Sequence, residues 1–246
     1  MKKKLDCLKL VNFIEKSKDF QLRILSCRKI LIAYSGGQDS TALLTVFYIL
    51  SKKFSFNIGV VYCNHRWTNS NSGPIAAFEF VSHLSLPFYF VDAQKAIQPE
   101  EVARLWRYSS FKNIYLAYGY DLILTGHTLS DCAETVILNL CRGSGLRGVC
   151  SLKKFQDFIY RPLISIKRET ISIFVSQLDL SIIYDQSNND LNITRNFIRH
   201  IILPLLKKIN PQVEQNLYKF SQIANYYLTY SGDIVISAIN FEIFKA

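Results

Sequence analysis

The sequence predicts an α/β fold, a doubly wound and mainly parallel sheet with a short helical C-terminal extension, and three observations carry that expectation. Short apolar, partly β-branched runs recur at 30–34, 56–62, 88–91 and 122–125, the pattern of strands buried on both faces. Helical spacing covers 78–84, 99–118 and about 129–141 between and after them. The first run also passes directly through a glycine pair into helix-starting residues. A strand-helix alternation of this kind places ligands beyond the carboxyl ends of the strands.

That first unit, residues 29–44, reads KILIAYSGGQDSTALL. Gly36 and Gly37 break the apolar run, and Asp39, Ser40 and Thr41 suit the start of a helix. The unpaired N–H groups of such a turn converge with a helix N-terminus on a site for an anion, which glycine lets approach the backbone closely. A Walker-type loop is excluded, because no lysine lies between Ser35 and Leu50 to reach the outer phosphates.

Before this unit, Leu5, Leu8, Val11, Phe13 and Ile14 have the spacing of an amphipathic helix. The acidic residues Asp6, Glu15 and Asp19 among the lysines, and the lack of an apolar core, speak against a signal or transit peptide. No uninterrupted apolar run approaches the roughly 18 residues of a membrane span. We expect an N-terminal helical segment at 1–28, the main α/β domain at 29–209 and a helical tail at 210–246. The chain of 246 residues carries a net charge of +10 and a pI near 9.3, a balance that favours a polyanionic partner. Six cysteines stand at 7, 27, 63, 132, 141 and 150 with no CxxC pair. That spacing argues against a zinc knuckle or redox dithiol and for a reducing compartment.

Candidate chemistry falls in the loops after the strands. Asn64 and His65 follow the second run, where they can contact a nucleotide or simply make a turn. Arg104, Arg107 and Tyr108 share one helix face, suited to phosphate and base contact or to water. After the fourth run, Asp131 and Glu134 project to one side of a helix, with His127 a turn earlier. Such a pair can hold a metal, grip an ammonium or complement the helix dipole. We favour the ammonium, since a dedicated metal site would call for more ligands nearby. From Arg142 to Lys208, eleven Lys and Arg face five Asp and Glu, so +6 of the +10 collects there. This segment, opening with the flexible Arg142-Gly143-Ser144-Gly145-Leu146-Arg147-Gly148, marks the expected nucleic-acid face.

Taken together, SGGQDS, NHRW, ARLWRY, HTLSDCAET, RGSGLRG, RPL, DQSN and RNFIR stand in the order they take in the tRNA(Ile)-lysidine synthetases. This is a branch of the PP-loop ATP pyrophosphatases, and the resemblance covers about residues 29–211. It implies a Rossmann-like, adenine nucleotide alpha hydrolase-like catalytic domain. The implied reaction adenylates the C2 oxygen of the wobble cytidine of a CAU anticodon and then ligates L-lysine. ATP would lie on Ser35, Gly36, Gly37, Gln38, Asp39 and Ser40, with Asn64 and His65, its Mg²⁺ on the phosphates without a dedicated protein site. Asp39, Arg104, Asp131 and Arg195 take catalytic roles by the same likeness. His127, Asp131 and Glu134 would hold lysine, and Arg107, Tyr108, Arg142, Arg147 and Arg199 would bind tRNA, with Trp67 a further stacking candidate.

The spellings resemble the cyanobacterial and plastid branch. The abundance of Phe, Tyr, Ile, Asn and Lys fits an AT-rich organellar genome, so we expect plastid encoding and a stromal enzyme, with a bacterial cytoplasm as the alternative. Two departures stand out. Ser130 replaces an acid or amide common in the family, and Thr68 stands near a usual arginine. The further domains of bacterial relatives are not in these residues, so either the core recognises its tRNA alone or another partner or a second copy, a homodimer, assists. A PP-loop tRNA thiolase would share SGGxDS but usually needs paired cysteines. A glutamine-dependent ligase would need a glutaminase, and a tRNA- or nucleotide-binding module would have lost the chemistry.

Overall fold

A computed structural model describes residues 2–66, 72–180, 182–183 and 189–243, with side chains over 9–66, 72–180, 182–183 and 189–229. Trp67, Thr68 and the DQSN stretch therefore lie outside the described residues. The chain forms two compact units, one of residues 1–128 with 154–185, the other of 129–153 with 186–246.

The first unit holds a six-stranded sheet ordered β3-β2-β1-β4-β6-β5. Its strands are β1 (Lys29–Ala33), β2 (Asn57–Asn64), β3 (Phe88–Asp92), β4 (Leu122–Thr125), β5 (Phe155–Gln156) and β6 (Ile159–Tyr160). All pairings are parallel except β5 with β6. The helices are α1 (Lys2–Glu15), α2 (Gln38–Lys53), α3 (Ser72–His83), α4 (Glu100–Tyr118) and α7 (Arg168–Gln177), with a π-helical turn at Phe20–Ile24. Alternate strand residues enter opposite cores. Ile30, Ile32, Val60, Leu124 and Tyr160 pack with Leu43, Phe47 and Phe174 on one face. Leu31, Val61, Ile123 and Ile159 pack with Phe111 of α4 on the other. This period of two follows from the pleat, and burial of both faces is why the strands read as continuous apolar runs.

The expected strand at 122–125 coincides with β4, and the other three shift by one or two residues at their ends. In α1, Leu10, Val11 and Ile14 are buried, whereas Phe13, expected on the apolar stripe, is exposed. Position 10 takes its place, three before 13 and four before 14, as helical spacing allows.

The second unit is helical: α5 (Leu129–Cys141), α6 (Gly145–Val149), α8 (Thr194–Phe197), a π-helical turn at Ile198–Ile202, α9 (Leu203–Ile209) and α10 (Val213–Ile243). Ala133, Ile198 and Leu203 form its small core with Ile137, Leu138 and Leu217 against them.

Candidate active site

The glycine loop leaves β1 at the middle of the sheet, where the order reverses between β1 and β4. This is the switch point at which an open α/β sheet leaves a crevice for a ligand. Tyr34 extends the strand by one bond to the Val61 carbonyl, 2.9 Å. Gly36 then adopts φ +77°, and a Cβ there would sit 2.1 Å from Ile183 Cδ1. The Ile183 N–H donates to the Gly36 carbonyl at 2.9 Å. Gly37 is extended and caps α2.

Hydroxyls brace the loop from within. Ser40 Oγ accepts the Ser35 N–H at 3.2 Å and donates to the Gly37 carbonyl at 2.9 Å. Thr41 Oγ1, fully buried, donates to the Gly36 carbonyl at 3.3 Å. The loop's carbonyls are thereby turned inward to hydroxyls, and the first N–H groups of α2, which have no intrahelical acceptor, remain to meet an anion. Gly126, just past β4, lies against the same turn: a Cβ on it would come within 3.0 Å of the Asp39 carbonyl and the Ser40 nitrogen.

Sequence reasoning missed the helix that steadies Gln38 and Asp39. Arg168 Nη2 donates to Asp39 Oδ2 at 3.2 Å, and Ser172 Oγ donates to Gln38 Oε1 at 3.0 Å. Both donors sit on α7, far along the chain, and Arg168 falls in a Lys-Arg-Glu-Thr stretch that reads as an ordinary helix start. One carboxylate at a phosphate loop fits Mg²⁺, which takes one or two carboxylates and completes its shell with phosphate oxygens and water. Among the described residues no three of His, Cys, Asp and Glu come together to hold a metal.

At the ends of β2 and β3, the Asn64 amide donates to Asp92 at 2.9 Å, and the Arg66 N–H returns to the Asn64 carbonyl oxygen of the side chain at 3.2 Å. Arg66 also pairs with Asp92 and holds its carboxyl below the usual carboxylate range. Asn64, expected beside ATP, thus uses its side chain to tie the two strands. The His65 carbonyl accepts the Ile97 N–H at 3.2 Å.

On α4 the three expected residues do come together. Arg104 donates to the Tyr108 hydroxyl at 3.2 Å, and its guanidinium carbon lies 4.9 Å from that ring's centre. Arg107 is half-buried; its Nε makes no hydrogen bond, and burial followed by the nearby Arg104 charge lowers its pKa. The second hydrogen-bond partner of the Tyr108 hydroxyl is Arg161, wholly buried just past β6, which donates to it at 3.1 Å. With Arg104 over its ring and Phe111 5.8 Å away, Tyr108 is a packed residue, not the open stacking platform expected from sequence.

His127, in the first unit, faces Thr125, with Nδ1 2.8 Å from Oγ1. Asp131 and Glu134, in the second, are engaged by the very arginines assigned to phosphate and tRNA. Glu134, fully buried, accepts from Arg195 Nε at 2.9 Å and from Arg199 Nε at 2.7 Å. Asp131 Oδ1 meets Nη2 of Arg195 at 3.5 Å and of Arg199 at 3.4 Å. The expected acidic patch is therefore a charge-balanced cluster of two carboxylates and two guanidiniums. Its members were each visible in the sequence, but their pairing across more than sixty residues was not. Beside them Ser130 donates to the buried Glu214 at 2.8 Å, so an acid from α10 stands next to Ser130.

Arg142 and Arg147 are exposed around α6. Gly143 and Gly145 take positive φ of +69° and +59°, and Asn139 pins the turn by donating to the Gly148 carbonyl at 2.7 Å.

A PP-loop domain model matches residues 9–206. The tRNA(Ile)-lysidine synthase of the cyanobacterium Synechocystis is 35% identical over 222 residues, covering 84% of this chain and 67% of that one. The chloroplastic tRNA(Ile)-lysidine synthase of Tupiella akineta is 56% identical over 160 residues, 64% of this chain and 27% of the relative. The chain thus spans from about a quarter to two thirds of the length of these relatives. Among solved structures, the U34-tRNA thiolase NcsA of Methanococcus maripaludis superposes with a TM-score of 0.75 at 17% identity, over 91% of this chain and 80% of that one. At that identity the likeness is one of fold. The glycine loop stands at the switch point of a parallel sheet, and the family match over residues 9–206 together with 35% identity across two thirds of a relative places this chain in the PP-loop family and, within it, among the tRNA(Ile)-lysidine synthases.

Proposed function

We propose that the protein joins L-lysine to C2 of the wobble cytidine in the CAU anticodon of tRNA(Ile), so that the tRNA carries isoleucine and reads AUA. The observation that carries the reading is the loop Ser35 to Ser40 at the switch point, closed from behind by Gly126, in a chain 35% identical to a lysidine synthase over 222 residues.

The cytidine C2 oxygen attacks the α-phosphorus of ATP, the α–β bond breaks and pyrophosphate leaves. The lysine ε-amine then attacks C2, loses a proton and expels AMP with the oxygen. The N–H groups at the head of α2 would take the leaving pyrophosphate, with Mg²⁺ on the phosphates and Asp39 the nearest carboxylate candidate. Arg104 and Arg195 are the side chains assigned to charge on the α-phosphate. His127, Asp131 and Glu134 are assigned to lysine. Of the two acids, Asp131, 11% exposed at its side chain against none for Glu134, is the better placed to receive an ammonium and, later, a proton. Arg142 and Arg147 would meet the tRNA, and a homodimer would show as two copies in the mass of the tRNA complex. Chloroplastic and cyanobacterial relatives support a plastid stroma, or else a bacterial cytoplasm, as the place of action. No described helix is long and apolar enough to cross a membrane.

The test is transfer of labelled lysine to a CAU-anticodon tRNA(Ile) transcript with ATP and Mg²⁺, beside the same tRNA carrying GAU. Label in the CAU transcript alone is expected. ATP cleaved to AMP and pyrophosphate without lysine transfer would overturn the reading in favour of another nucleophile.

A further inference from the structure

A phenol oxygen has two lone pairs and one proton. At Tyr108 both lone pairs are taken by guanidinium donors, Arg104 Nη2 at 3.2 Å and Arg161 Nη2 at 3.1 Å. Neither arginine can accept a hydrogen bond, so the proton of Tyr108 is left for a third group. The surroundings specify its chemistry. Arg104 and Arg161 put two positive charges on the hydroxyl, Arg107 is near enough to interact electrostatically with Tyr108, and the Arg107 Nε makes no hydrogen bond. A donor set among cations suits an anionic oxygen.

The placement of Arg161 is functional in kind. It follows β6, whose Ile159 and Tyr160 pair in parallel with Ile123 and Leu124 of β4, so it stands at the carboxyl end of a strand in the sheet, the edge where ligands bind. Its backbone is fixed by the Lys154 carbonyl at 2.9 Å, and its guanidinium also reaches Gln156 Oε1 at 3.5 Å. Burial leaves Arg161 out of reach of a large substrate, while Arg104 and Tyr108 are partly exposed.

We propose that Arg161 is a positioning residue which, with Arg104, turns the Tyr108 hydroxyl into a dedicated donor to a phosphoryl oxygen. The proposal rests on the lysidine reading only for the two sources such an oxygen could have, the α-phosphate of ATP and a phosphodiester of the anticodon loop.

The test compares wild type, Tyr108→Phe, Arg161→Lys and the double variant. It measures Kd for ATP, Kd for a CAU anticodon stem-loop RNA, and Tm. Tyr108→Phe keeps the ring and its packing on Phe111 and removes only the hydroxyl. It should weaken one of the two ligands about tenfold, the scale of one charge-assisted hydrogen bond, with Tm near wild type. The ligand that weakens identifies the source. Arg161→Lys keeps the charge and loses the fork, so it should weaken the same ligand, and the double variant should be no worse than Tyr108→Phe. Wild-type affinity of Tyr108→Phe for both ligands would overturn the proposal, as would additive losses in the double variant. Should Arg161→Lys fail to fold, Tyr108→Phe alone decides. Failure of lysine transfer with these affinity losses intact would sink the lysidine reading and leave this one standing.

Discussion

Arg168 donates to the Asp39 carboxylate across 3.2 Å, although 129 residues separate them in the chain. The bond makes α7 part of the phosphate loop's support, a role invisible in a local motif.

Arg168→Ala should therefore act on nucleotide use more than on folding. The two side chains are 25% and 21% exposed, and partly solvated pairs contribute no more than about 1 kcal/mol. We expect KM for ATP in pyrophosphate release to rise roughly tenfold as Asp39 loses its fixed position, and Tm to fall by no more than about 4 °C. A large fall in Tm with unchanged KM would make the pair a folding element only.

The cluster on α5 behaves oppositely. Glu134→Gln leaves two guanidiniums facing one carboxylate where there were two, with the central side chain wholly buried. Breaking a buried pair in this way costs about 3–5 kcal/mol, which urea unfolding of the variant will read as a lower midpoint at an unchanged m-value. Arg195→Ala should cost less, because Arg199 still pairs with both acids.

Cys63 supplies a pH-dependent term. Burial, against the opposing pull of Arg107, pushes its thiol from 9.0 up to about 12. The folded protein then holds a proton that the unfolded chain has lost, so the stabilisation is complete below pH 9.0 and disappears as pH rises towards about 12. Between those limits the wild type should lose up to about 1.4 kcal/mol per pH unit more than Cys63→Val does. Urea midpoints of both proteins under reducing conditions, taken through that range, will show it. Parallel pH profiles would refute it.

Arg142→Ala and Arg147→Ala remove exposed charges from the basic loop. Each should weaken tRNA binding and lower the slope of log Kd against log salt by about one, with KM for ATP unaltered. Filter binding at several salt concentrations measures the slope directly.

Much of the fold was legible because burial on both faces writes each central strand as an unbroken apolar run. Leu122 to Thr125 is read to the residue for this reason. Phe155–Gln156 and Ile159–Tyr160 escaped because two residues carry no period. In the site, Ser35 to Ser40 announced themselves through local turn chemistry, which sequence records well. The roles of Arg168, Arg161 and Glu214 did not, since their partners Asp39, Tyr108 and Ser130 lie 129, 53 and 84 residues away. A guanidinium in a helix start looks the same whether it meets water or a carboxylate from elsewhere. Asp131 and Glu134 were found by spacing, but spacing could not say that Arg195 and Arg199 already hold them.

The close approach of Gly126 to the backbone of Asp39 and Ser40 bears on any attempt to move this nucleotide site into another protein. Six residues copied into a foreign strand-helix turn would carry the hydroxyls and the bends, yet the turn would collide with whatever side chain the recipient's neighbouring strand presented at its end. The portable unit is two strands wide: the hexapeptide together with a side-chain-free position on the adjacent strand's exit. Engineering or repair of the site should treat the two as one part.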